Sequence, residues 1–164
     1  MSFPILSSLI ILPTIGAIFI LFSRSSSNYN AAKYISLFVS FANFILSLYL
    51  WYVFDKVNSD FQFVEERIWL EGFINYKVGV DGISILFILL TTFITPLCII
   101  SVNNSIKNRL SEFLIAILIM ESFMIGVFCS LDLVVFYLFF EAGLIPMFLI
   151  IGIWGGERRV YSAF

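Results

Sequence analysis

Two glutamates, Glu121 and Glu141, are the only carboxylic or cationic side chains set deep within long apolar runs of this chain. Glu141 interrupts the otherwise uncharged stretch LVVFYLFFEAGLIPMFLIIGIW, residues 133–154. A carboxylate at the centre of a membrane helix costs about 2.5–3.5 kcal/mol on insertion scales, and such residues usually carry protons or ions. The chemistry that suits Glu141 is therefore reversible protonation, as one step of a proton relay. Glu121 suits the same role, with a structural hydrogen bond between helices as its competitor. Pro146 adds a second feature: it cannot donate to the carbonyl of Ala142, next to Glu141, so the helix should kink or open there and offer a place for water. Tyr137 lies one turn before Glu141 on the same face and within reach of a hydrogen bond. A lipid-facing aromatic is the plainer expectation for it.

The elements that position these groups are membrane spans. Of the 164 residues, 61% are hydrophobic and 12% charged; the mean hydropathy is +1.05. A soluble domain of this size could not cover so much apolar surface, so the chain is an all-α integral membrane protein. Apolar runs at about 4–22, 34–54, 82–102, 113–130 and 132–154 can each cross a bilayer. Together they predict one membrane domain over residues 1–164. Residues 113–154 would overshoot any bilayer as one helix, and Ser130-Leu131-Asp132 supplies the break, with N-cap residues for the next helix. So short a turn makes spans four and five antiparallel neighbours. At a rise of about 1.5 Å per residue, Glu121 and Glu141 both lie about 13–14 Å from that turn. Whether they face each other depends on helix rotation.

Charge sets the orientation. One side receives Arg24, Lys33, Lys107, Arg109, Arg158 and Arg159; the other receives Lys56, Arg67 and Lys77 with seven acids, Asp55, Asp60, Glu65, Glu66, Glu71, Asp81 and Asp132. The more basic side is expected to face the cytoplasm or matrix. The large loop 55–80 is then on the outer face. In it Phe61–Val64 and Asn75–Val78 resemble short strands around Gly72, a small outer-face hairpin whose acids form a solvated surface. Asp81 is expected to cap a helix starting at Ile83.

Other function classes fall away. With no histidine the chain cannot build the usual imidazole metal site, nor hold a haem between histidines. It has neither a glycine-rich dinucleotide loop nor clustered cysteines, so no NADH, flavin, iron–sulfur cluster or metal is expected in it. Cys98 and Cys129 fall near opposite membrane faces and read as packing residues. The net charge of −2 suggests no nucleic-acid partner. The first 22 residues carry no charged side chain, so the first run reads as a retained span rather than a cleaved signal. Thr91, Thr92 and Thr95 are placed to serve backbone groups loosened by Pro96. Ser122 and Gly126 form a small-xxx-small pair suited to close helix packing. Trp51, Trp69 and Trp154 fall near the expected interfaces.

All nine Lys and Arg are expected in loops, leaving both carboxyls without a cation inside the membrane. A counter-charge or a water channel must come from elsewhere. In this setting the segments FQFVEE at 61–66, VGVDGISILFILLTTF at 78–93 and GVFCSLDLVVFYLFFEAGLIPMFLIIGIWGG at 126–156 become informative. On them the chain resembles the N-terminal part of the chain-4 type of antiporter-like, proton-pumping membrane subunits of NADH–ubiquinone oxidoreductase (respiratory complex I).

The resemblance implies the first five helices of a fold of about fourteen, built as inverted repeats. It implies that the glutamate matching Glu141 belongs to the intramembrane proton pathway, with Glu121 a further acid on the neighbouring helix. The family's lysines lie on later helices, which implies a second polypeptide carrying them, from a split gene, or a truncated record. Other complex I membrane-arm subunits and lipid are the implied partners. The implied location is the mitochondrial inner membrane as a multi-pass protein, with the bacterial plasma membrane as alternative. The chain would be an enzyme subunit with no redox chemistry of its own. A related multisubunit cation/proton antiporter, or a non-catalytic structural membrane fragment, are the alternative readings.

Overall fold

The computed structural model describes residues 4–23, 29–58, 60–70, 74–102, 106, 109–156, 159 and 161. Arg24, Glu71, Gly72, Lys107 and Arg158, named in the reading above, lie outside these. Five helices are long and apolar enough to cross a membrane: α1 (Ile5–Ser23), α2 (Tyr29–Val53), α3 (Ser84–Ser101), α4 (Leu110–Cys129) and α5 (Leu133–Trp154). A hairpin of β1 (Gln62–Leu70) and β2 (Ile74–Val80) stands between α2 and α3.

Helix α2 begins earlier than its apolar run, so Lys33 sits in its second turn rather than in a loop. Tyr29, Asn30 and the Ala31-Ala32 pair are no barrier to helix, although their polarity ends the hydropathy signal. Helix α4 likewise starts at Leu110. The break before α5 is made by Asp132, whose Oδ1 accepts the backbone N–H of Val134 at 2.8 Å and of Val135 at 3.2 Å. Asp81 serves α3 the same way, accepting the Ser84 N–H at 2.7 Å, with the helix starting at Ser84 rather than Ile83. Hydrogen bonds from the Ser84 hydroxyl, then from its backbone N–H, hold the Asp81 carboxyl below its ordinary 3.8. The Thr91, Thr92 and Thr95 hydroxyls donate to the carbonyls of Phe87, Ile88 and Thr91. None of these is the carbonyl of Thr92, which Pro96 leaves unserved, because a threonine in a helix reaches the carbonyl one turn behind its own position.

The strands are longer than the sequence suggests. Glu65-Glu66-Arg67 reads as loop, yet Glu66 pairs with Lys77 and Arg67 with Tyr76 across the ladder, and Lys77 Nζ lies 3.4 Å from Glu66 Oε2. Glu65 does not belong to a solvated surface. Its carboxylate accepts the backbone N–H groups of Leu6 (2.9 Å) and Ser7 (3.3 Å) and the Ser7 hydroxyl. These are first-turn donors of α1 that have no partner within the helix. The hairpin is also tied to the α4–α5 turn: Leu131 N–H donates to the Lys77 carbonyl at 2.9 Å, and Val78 bridges Ser130. The start of α1, the hairpin and the α4–α5 turn therefore share one end of the bundle.

Helix α4 is the hub, packing against α1, α2, α3 and α5. Ten of its residues are buried; in α5 only Val135 and Pro146 are. The apolar core falls into two clusters. One, at the hairpin end, includes Leu6, Leu9, Leu50, Val80, Ile88, Ile125 and the free Cys129. The other, at the far end, includes Ala17, Ile20, Ile99, Leu114 and Leu118, with Trp154 stacked edge-on against Phe113 at 5.2 Å.

Candidate functional site: two separated carboxyls in the membrane

Between the two clusters each of the first four helices contributes polar side chains. Helix α2 supplies Ser36, Ser40, Asn43 and Ser47, all fully buried. Their spacing of four, three and four residues puts them on one face of the helix. Thr14 of α1 lies 2.8 Å from the Ser122 hydroxyl, which donates to the Ile10 carbonyl. Ser47 and Thr92 are 2.7 Å apart. In this layer sits Glu121, 2% exposed, its Oε1 accepting Asn43 Nδ2 at 2.9 Å. Glu121 Oε2 and Asn43 Oδ1 are buried with no hydrogen-bond partner among the described residues. Glu121 also borders an apolar cleft of about 370 Å³ between α3 and α4, lined by Phe87, Leu90, Ile94 and Met124.

The α2 stripe went unread in the sequence. Its signal was available as the helical spacing of residues 36, 40, 43 and 47, but serines inside an apolar run look like tolerated small residues.

Glu141 is placed differently. On α5 the positions that meet α4 are Phe139, against which a Cβ at Gly126 would press at 2.7 Å, and Gly143, whose Cβ position is 3.7 Å from Phe123 Cβ. Glu141 lies two residues from each, about 200° around the helix, and is exposed. Tyr137 shares that outward face, is 56% exposed, and donates its hydroxyl to Glu141 Oε1. Tyr137 is thus both an outward aromatic and the hydrogen-bond partner of Glu141. The same geometry turns Glu121 away from α5, since Phe123 and Gly126 are the α4 residues that meet it. The two carboxyls are on neighbouring helices and face apart. Of the small-xxx-small pair, Gly126 admits the Phe139 ring of α5 while Ser122 serves α1. Pro146 is buried and lies inside a helix that is continuous to Trp154.

These features define a polytopic helical membrane protein with one carboxyl enclosed in a polar layer and a second presented on an uncovered helix face. The comparisons with known proteins give the family. Residues 130–164 match the model of the NADH:quinone oxidoreductase/Mrp antiporter membrane family. The chain is 57% identical over 133 residues to NADH-quinone oxidoreductase subunit M of Rhodobacter capsulatus, covering 81% of this chain and 26% of the relative. It is 46% identical over 159 residues to NADH-ubiquinone oxidoreductase chain 4 of Marchantia polymorpha, covering 96% and 32%. With subunit M of Rickettsia conorii it shares 46% identity over 166 residues, covering 98% and 34%. The chain belongs with these antiporter-like membrane subunits, and it spans about a third or less of the length of the curated relatives it matches.

Proposed function

We propose that this chain forms part of a proton-translocating membrane subunit of NADH–quinone oxidoreductase, with Glu141 and Glu121 as proton-carrying groups. The observation that carries the reading is the 57% identity to subunit M of Rhodobacter capsulatus, which extends over four-fifths of the chain. One structural fact and the length of the relatives support it. Glu141 stands with Tyr137 on the face of α5 that the described residues leave uncovered, as a group would that exchanges protons with helices beyond these five. The relatives are about three times longer, which leaves room for such helices, whether in this polypeptide or in a second one. A cation or an ordered water from there would lower the cost of ionising Glu141.

In this reading the chain binds no redox cofactor. NADH oxidation and quinone reduction occur on other subunits, and their energy reaches Glu141 as a change in its electrostatic surroundings. Other membrane-arm subunits and lipid are its partners. The hairpin end faces the positive side of the energised membrane, either the mitochondrial inner membrane or the bacterial plasma membrane. A second reading, a subunit of a multisubunit cation/proton antiporter, is favoured by the matching family model, whose description covers both. Mass spectrometry of the native membrane complex separates them. Copurification with NADH-oxidising, iron–sulfur subunits is expected; copurification with antiporter subunits alone would overturn the first reading in favour of the second.

A further inference from the structure

The middle of the bundle holds two orphaned polar atoms, and both belong to one bonded pair. Glu121 Oε1 accepts from Asn43 Nδ2 at 2.9 Å, while Glu121 Oε2 and Asn43 Oδ1, both acceptors when the carboxyl is ionised, are buried and unpaired. An unpaired buried polar atom costs about 1–3 kcal/mol, and more where charge is present. The neighbouring hydroxyls are committed elsewhere: Ser122 to the Ile10 carbonyl, Ser47 to that of Phe44, Thr92 to that of Ile88. One proton would satisfy both orphaned atoms. A primary amide offers one donor edge and one acceptor edge, and a protonated carboxyl offers the complement of each. Exchanging the amide oxygen and nitrogen leaves that count unchanged.

We propose that Glu121 carries its proton on Oε2 and donates it to Asn43 Oδ1, closing a two-bond acid–amide ring between α4 and α2. Asn43 is then the positioning residue for Glu121. Loss of the proton breaks one bond of the ring and sets two oxygen acceptors against each other. Release of the proton therefore requires α2 and α4 to shift, or a water to enter and take the place of the lost bond. Transfer through Glu121 is in this way tied to the α2–α4 contact. This consequence for pumping rests on the proton-relay reading above, whereas the ring itself is a matter of hydrogen-bond count.

The test is infrared spectroscopy of the assembled membrane complex at neutral pH, in water and deuterium oxide. The difference between the unaltered complex and Glu121→Gln is expected to contain a protonated, hydrogen-bonded carboxylic carbonyl band that shifts on deuteration. Asn43→Leu is expected to move that band to higher frequency, and Asn43→Gln to restore it toward its original position. Should Glu121→Gln fail to assemble, the Asn43→Leu difference spectrum carries the same band shift alone. Carboxylate bands in place of the acid band, as a water-bridged ion would give, would overturn the ring; so would a band that Asn43→Leu leaves unmoved. Proton pumping separates the two proposals: a shifted band with unchanged pumping in Asn43→Leu leaves the ring standing and removes its tie to transfer, and unchanged pumping in an assembled Glu121→Gln complex removes Glu121 from the pathway.

Discussion

Glu121 and Glu141 sit on adjacent antiparallel helices, yet their side chains leave those helices in opposite directions. Phe139 and Gly143 of α5 meet Gly126 and Phe123 of α4; Glu141 lies about 200° from both α5 positions, and Glu121 about 200° from Phe123 and about 140° from Gly126. The two carboxyls do not form a shared site.

That rotation is directly checkable. Cysteines placed at 123 and 143 are expected to join under mild oxidation, because the Cβ separation of 3.7 Å falls within the range that disulfides span. Cysteines at 121 and 141 are expected not to join. Mass spectrometry of the oxidised membranes reads both outcomes.

Gly126→Ala should loosen the α4–α5 contact. The added Cβ would fall 2.7 Å from the Phe139 ring, which cannot yield as the tip of a flexible side chain does. A loss of about 1–3 kcal/mol is expected for such overpacking. Gly79→Ala meets the Leu131 side-chain end at the same distance and is expected to cost less. Thermal unfolding in detergent compares the two.

Glu65→Ala removes the acceptor for the first-turn donors of α1 and is expected to cost about 1–3 kcal/mol. Glu65→Gln keeps one acceptor oxygen and should lose less. Hydrogen exchange at Leu6 and Ser7 should accelerate in that order.

Asp81 predicts an acid limb to stability. Its folded carboxyl titrates below the ordinary 3.8 because Ser84 bonds to the charged form. The stabilisation is therefore fully present above 3.8 and is lost as pH falls through the lower folded value. Asp81→Asn should flatten that limb in a plot of unfolding midpoint against pH.

How much of this the sequence allowed depends on where the physical signal lay. Spans are legible because a bilayer demands length and apolarity together, and the α5 cap is legible because Asp132 stands alone between two apolar runs. Helix rotation is not: α5 is apolar all round except at Glu141, so no stripe marks the side that packs. The outward aim of Glu141 emerges only from Gly126 and Gly143, whose missing Cβ atoms set the contact with α4. The Asn43–Glu121 bond joins residues 78 apart in sequence, a pairing that local pattern does not carry. Glu65 was misread for a related reason. A glutamate in a charged loop looks solvated until a helix start 58 or 59 residues earlier is folded beneath it.

The measurement that bears most directly on the account is proton translocation by the assembled complex carrying Glu141→Gln, followed with a pH-sensitive dye in sealed vesicles during NADH oxidation. The glutamine keeps an acceptor for Tyr137 but cannot release a proton, so assembly should persist while pumping and the turnover coupled to it fall sharply. Glu141→Asp should retain part of both. Full proton pumping in an assembled Glu141→Gln complex would contradict the relay role assigned to this residue.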